Sequence, residues 1–419
     1  MRKILTDLAG SYGSFLFFRR PQASLLLVAC TMLEPRIGAF GLLGGIAALM
    51  ARHLLAVPAT CGKLDIVNAV LAGLYFGTTF AWDPRGLLLV AASGALSVLL
   101  GIWLQDLLVR RARLPMLSAP FCLLAAGLLA VGRALALPYA PLPQSWALDA
   151  AFVWLPALGQ KFLYSLGAIY FAPSLAGGLL VLAAIAVSSR RLVLVAVLGF
   201  ATVEAMFALL ALPAWSPAHI PAGAAGILTA IMAGGLFARP SGRALAVCVL
   251  GAACTALLSL ALTNALWYMA LPALSLPFLL GTWLLMTALA TWQGYWLAEP
   301  DLPERSGERD RIAEARGLSR FSIALRAPFF GAWDVYQGFD GPHTHRGLWR
   351  HGLDFLRLEE GRAHRGTGTS LEDYHCFGAP VCAPAYGWVV ACRGDLPDNP
   401  PGETDLANRW GNFVMIALA

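Results

Sequence analysis

Apolar residues fall along this chain in long blocks rather than in alternation with polar ones. Such blocks suit membrane-spanning helices, which need about 20 mostly apolar residues. They predict helices near 23–33, 37–57, 64–80, 86–108 and 116–135. A second series is predicted near 162–172, 175–188, 191–213, 219–237, 243–264 and 273–297. Several blocks are short or carry Pro and Gly midway, which predicts re-entrant half-helices among about ten true spans.

The pattern also repeats. Leu114-Pro-Met-Leu-Ser-Ala-Pro-Phe121 returns as Leu271-Pro-Ala-Leu-Ser-Leu-Pro-Phe278, so L-P-x-L-S-x-P-F occurs twice. Pro84 has its counterpart in Pro240, and Asn68 has Ala225. Each proline removes an N–H and frees a carbonyl upstream. In the bilayer core that carbonyl must be answered by protein or by a water-lined cavity. Pro-interrupted apolar segments at matching places in two halves point to a central transport site. The expected fold is therefore an α-helical polytopic membrane protein with two homologous halves, residues 1–148 and 149–298. The solute path lies between them.

Composition sharpens this picture. At 58% hydrophobic and 13% charged, the 419 residues do not read as an ordinary soluble protein. Only seven acidic residues precede position 299 (Asp7, Glu34, Asp65, Asp83, Asp106, Asp149 and Glu204), out of 24 in all. A charged linker is expected over 299–330 and a small β-rich domain over 331–419. Two strands are predicted around a turn in Gly378–Ala391, and another in Gly411–Ala417. The chain stops inside that last apolar run, which predicts that the β domain is truncated. The net charge of +6 comes from scattered arginines without a basic face, so no nucleic-acid partner is expected. Cys30, Cys61, Cys122, Cys248 and Cys254 lie in or beside apolar blocks and read as small buried hydrophobes.

The membrane half offers little buried charge, with Asp65 and Glu204 expected near span ends. An ion or proton path usually keeps ionisable residues at mid-membrane. What remains is hydroxyls (Ser118 and Ser275), freed carbonyls, and the flat walls of Phe121 and Phe278. That lining suits a small, neutral, hydrogen-bonding solute.

The paired motifs resemble those of the urea transporter family, over roughly residues 8–297. The resemblance implies a channel-like homotrimer in the lipid bilayer, with one pore per protomer, passing urea or a similar small amide. Carried over by position, it makes Ser118 and Ser275 the pore hydroxyls, with Leu114, Leu271, Phe121 and Phe278 beside them. Asn68 matches an asparagine of the family. Ser14-Phe-Leu-Phe17 keeps Phe17 as a slot wall but lacks the family's glutamine. Ala225, Val67 and Ser259 also depart from the family pattern.

Five of the seven histidines lie between 343 and 375. Thr344–Phe355 followed by Gly378–Val390 resembles the M23 (lysostaphin-like) zinc metallopeptidases. That resemblance implies His345 and Asp354 as zinc ligands, with His351 competing as the first. It also implies peptidoglycan as a partner and the bacterial inner membrane as the location. The family's late His-x-His is missing, so this chain by itself is not expected to hydrolyse anything.

Overall fold

The computed structural model describes residues 2–18, 20–57, 63–112, 114–141, 149, 154–216, 218–289, 300–306, 325–403, 405, 407–408 and 410–418. The chain forms two compact units, Met1–Phe321 and Ser322–Ala419.

The first unit is helical among its described residues. Its first half holds α1 (Arg2–Ser14), α2 (Pro21–Met32), α3 (Pro35–Leu54), α4 (Leu64–Thr79), α5 (Pro84–Leu104) and α6 (Ala119–Ala134). The second half follows the same order with α7 (Ala157–Ala168), α8 (Leu175–Ser188), α9 (Arg190–Leu209), α10 (His219–Thr229), α11 (Gly242–Trp267) and α12 (Leu276–Ala288). α5 continues as a π-helical stretch over Gln105–Arg111, and α10 as another over Ala230–Leu236.

Local chemistry sets the helix starts. Proline stands in the first turn of α2, α3, α5, α6 and α12, where its missing N–H costs nothing. Ser174, Ser189 and Ser241, all extended, accept from Gly177, Leu192 and Ala244 and so cap α8, α9 and α11. Left-handed turns recur at matching places: Phe17 with Phe171, Ala56 with Ala211, and Leu117 with Leu274. The repeat seen in the sequence is thus a repeat of backbone conformation.

Among the described residues five helical stretches are long and apolar enough to cross a membrane: Pro35–Leu54, Pro84–Val109, Arg190–Leu209, His219–Leu236 and Gly242–Trp267. Five shorter apolar helices accompany them (α2, α4, α6, α8 and α12). The apolar pattern did not predict α1, which carries Lys3 and Asp7. The helix expected from 273 starts only at Leu276, because the motif unwinds the chain ahead of it. The end of that block, 290–297, lies outside the described residues.

Helices pack closely through small residues, the usual means of bringing membrane helices together. A methyl group on Gly73 of α4 would collide with the Phe40 carbonyl of α3. One on Gly178 of α8 would collide with the Leu163 carbonyl of α7. The halves interlock: Tyr170 donates to the Tyr12 carbonyl at 2.7 Å, and Arg20 to the Val187 carbonyl at 2.6 Å.

Two expectations need correction. The membrane unit does hold buried charge. Lys161 Nζ lies 2.7 Å from Glu204 Oε2, and His219 Nδ1 lies 2.7 Å from Glu204 Oε1. These side chains come from α7, α9 and α10, so no linear pattern brings them together. In the first half Asp7 pairs with Lys63 at 2.9 Å. Lys161 takes the place of Asp7 and His219 that of Lys63; two bases thus meet, and Glu204 stands between them. Asp65 is paired as well, 2.7 Å from Arg52. The second correction concerns Glu304, expected in a solvated linker. It accepts from the Ser189 hydroxyl at 2.8 Å and from Arg191 N at 3.3 Å, at the positive end of α9. Residues 307–324 of that linker lie outside the described residues.

The second unit contains two small antiparallel sheets. β1 (Asp334–Gln337) pairs with β2 (Asp354–Leu356), and β3 (Gly387–Arg393) pairs with β4 (Phe413–Leu418). The expected strand before the turn at Tyr386 does not form. Pro380 and Pro384 lack ladder donors there, and isolated backbone bonds tie the stretch instead, among them Cys382 N to Pro328 O and Arg326 N to Pro384 O.

Candidate functional site

The two motifs meet. Ser118 Oγ lies 2.9 Å from Ser275 Oγ, hydroxyl against hydroxyl across the two halves. Cys122 Sγ lies 3.2 Å from the same Ser275 oxygen. Cys122 is therefore more than the buried hydrophobe its surroundings suggested. It stands one turn after Ser118 on α6, the distance at which helix side chains share a face.

The same turn geometry presents both serines. Leu117 and Leu274 hold left-handed backbone, φ 46° and 47°. Ser118 and Ser275 follow with ψ of 20° and 9°, and neither hydroxyl caps its own helix. The extended Ser174, Ser189 and Ser241 do cap theirs. The strained turn thus aims the motif hydroxyls away from their helices and toward each other.

Asn68 stands behind the first motif, fully buried. Its Nδ2 donates to the Leu117 carbonyl at 3.0 Å and the Leu64 carbonyl at 2.6 Å, and its Oδ1 accepts from Phe121 N at 3.0 Å. Its amide is spent on the backbone. Ala225, at the matching place in the second half, offers no such group. Two further bonds cross the halves: Trp283 Nε1 donates to the Pro115 carbonyl at 2.8 Å, and Arg133 Nη1 to the Ala270 carbonyl at 2.7 Å. No local signal pointed to Trp283 or Arg133.

The aromatic residues of the expected path each pack on another ring. Phe121 meets Phe171 edge to face at 5.8 Å, and Phe278 meets Phe15 at 6.4 Å. Phe17 instead packs on Phe237 at 5.8 Å. Leu114 and Leu271 are half-buried at the start of each motif, bonded back through their amides to Leu108 and Leu266.

Chemically, each serine hydroxyl is both donor and acceptor. A solute with a carbonyl and several N–H groups can replace the serine–serine bond by bonds to itself. The charges of Lys161 and Glu204, and of Arg52 and Asp65, are paired with one another.

In the second unit, His345 Nε2 lies 3.1 Å from Asp354 Oδ1, and its Nδ1 lies 2.8 Å from the Gly338 carbonyl. Gln337, which the sequence did not single out, donates to Asp354 Oδ2 at 2.9 Å. His351 turns to Phe339, with ring centres 6.1 Å apart. The geometry therefore favours His345 over His351. Among the described residues no three His, Cys, Asp or Glu side chains gather as a metal site would need. A catalytic zinc takes three protein ligands, so this pair does not fit a complete zinc centre.

A family model, urea transporter, matches residues 8–290. No curated protein matches the chain.

Proposed function

The chain belongs to the urea transporter family, and we propose that solute crosses its membrane unit where the two L-P-x-L-S-x-P-F turns meet. The protein is an integral membrane, urea-transporter-like channel, and the proposed traffic is passive flux of urea or a similar small neutral amide. One observation carries the reading: the 2.9 Å contact between Ser118 and Ser275. Both serines sit on turns whose strain turns their hydroxyls out of the helices. Phe121 and Phe278 supply apolar surface beside them, suited to a flat amide.

Passing urea parts the two hydroxyls, and each then bonds to the solute instead of to its twin. Backbone carbonyls of the two unwound motif segments are further acceptors for amide protons. A homotrimer in a bacterial inner membrane is part of the proposal. Apolar side chains facing outward on α5 and α11, such as Leu88, Trp103, Leu250 and Trp267, supply surface for lipid or for neighbouring protomers.

Stopped-flow light scattering on proteoliposomes tests this directly. Vesicles carrying the full chain are expected to equilibrate urea well ahead of empty vesicles. Equal rates with folded protein would remove the reading.

A second reading, a zinc-binding M23-like module directed at peptidoglycan, draws support from the His345–Asp354 contact alone. Metal analysis of the purified chain against His345→Ala tests it; equal zinc content in both rules the site out. No hydrolytic step follows from a two-ligand set.

A further inference from the structure

We infer that Asn68 is the positioning residue of the transport path: it holds the first motif in the turn that presents Ser118, while the second motif has no such clamp. The inference rests on the proposed path between Ser118 and Ser275.

Ser118 immediately precedes α6, and Phe121 is the third residue of that helix. A helix leaves its first four N–H groups without intrahelical partners. A serine at the N-cap ordinarily answers the third of them with its own oxygen. Ser118 does not, since its hydroxyl is 2.9 Å from Ser275. Asn68 answers Phe121 N in its stead and binds the Leu117 carbonyl with the other end of the same amide. The two bonds flank Ser118 on either side, and the third, to Leu64, anchors the amide to α4. Leu117 is held left-handed between them. A bulky residue adopts that conformation only when its surroundings enforce it. Leu274 holds the same turn without an amide, so Asn68 fixes Ser118 within a turn the motif itself forms; released from it, Ser118 can turn back onto its own helix as Ser174, Ser189 and Ser241 do.

In the second half Leu274 carries the same left-handed turn and Ser275 the same outward hydroxyl. Ala225 has no amide to answer Phe278 N or the Leu274 carbonyl. Among the described residues Ser275 is held outward by Ser118 and Cys122. Ser118 is thus the fixed hydroxyl of the path and Ser275 the compliant one, which a passing solute can displace.

Urea flux through the full chain in proteoliposomes tests this by a double-mutant cycle. Ser118→Ala is expected to slow flux about fivefold, the worth of one hydrogen bond of about 1 kcal/mol. Asn68→Ala should slow it equally, and the double variant no further, because both changes remove the same hydroxyl from the path. Asn68→Asp keeps the oxygen that accepts from Phe121 N, the bond that replaces the missing cap, and is expected to restore part of the flux. Multiplicative losses in the double variant, or no rescue by Asp, would overturn the role of Asn68 and leave the path standing. Unchanged flux in Ser118→Ala would overturn the path itself.

A second pair of variants covers the case in which Asn68→Ala does not fold. Cys122→Ala is expected to slow flux in the native chain but not in an Ala225→Asn background, where the added amide clamps Ser275. An equal loss in both backgrounds would contradict the asymmetry.

Discussion

At the residue scale, the membrane unit joins costly features that each have a stated partner. Lys161, Glu204 and His219 illustrate this. A buried ion pair that loses one member leaves an uncompensated charge, at a cost of about 3–5 kcal/mol. Lys161→Met is therefore expected to lower the thermal midpoint of the detergent-solubilised protein sharply, although it lies away from the serine contact. Lys63→Met, which breaks the far more exposed ion pair of the first half, should cost much less. A similar loss for both would show that burial does not set the value of these pairs. Residue chemistry was legible in the sequence only where it was contiguous. The doubled motif could be read because its eight residues are neighbours. The bonds from Asn68, the thiol of Cys122, and the reach of Trp283 to Pro115 each depend on positions far apart in the chain.

At the element scale, proline at helix starts and glycine at helix crossings shape the bundle. Gly178→Val would drive a branched side chain into the α7 backbone and is expected to abolish folded protein, whereas Gly127→Val, whose position has open space around it, should be tolerated. Size-exclusion profiles after extraction distinguish the two. The start of α5 is set by Asp83, just outside the span. Hydrogen bonding from the Arg85 side chain, helped by the Arg85 backbone N–H, holds its carboxyl below the usual range. A carboxyl depressed by folding adds stability above its unfolded value and loses it as pH falls through the folded one. The start of α5 should therefore loosen only below about pH 4. Asp83→Asn, which still caps, should remove that dependence in hydrogen exchange. Most helices were legible as apolar blocks. The exceptions have physical reasons: α1 is too polar for a hydropathy pattern, and α12 starts late because its motif favours a turn.

At the scale of the whole molecule, two halves of like backbone meet through unlike side chains. The repeat places Ser118 beside Ser275, and two departures from symmetry at that contact lie in the first half: Asn68 against Ala225, and Cys122 against Leu279. The family to which the chain belongs was legible from the motif pair alone. The second unit was less so, because its fold brings His345 and Asp354 together with no third metal-ligating side chain among the described residues. The central claim is that solute passes between the motif hydroxyls. Stopped-flow urea flux through proteoliposomes of the Ser118→Ala, Ser275→Ala double variant, matched to wild type for folded protein, tests it most directly. Flux is expected to fall nearly to that of empty vesicles. Flux equal to wild type would contradict it and place the path elsewhere in the bundle.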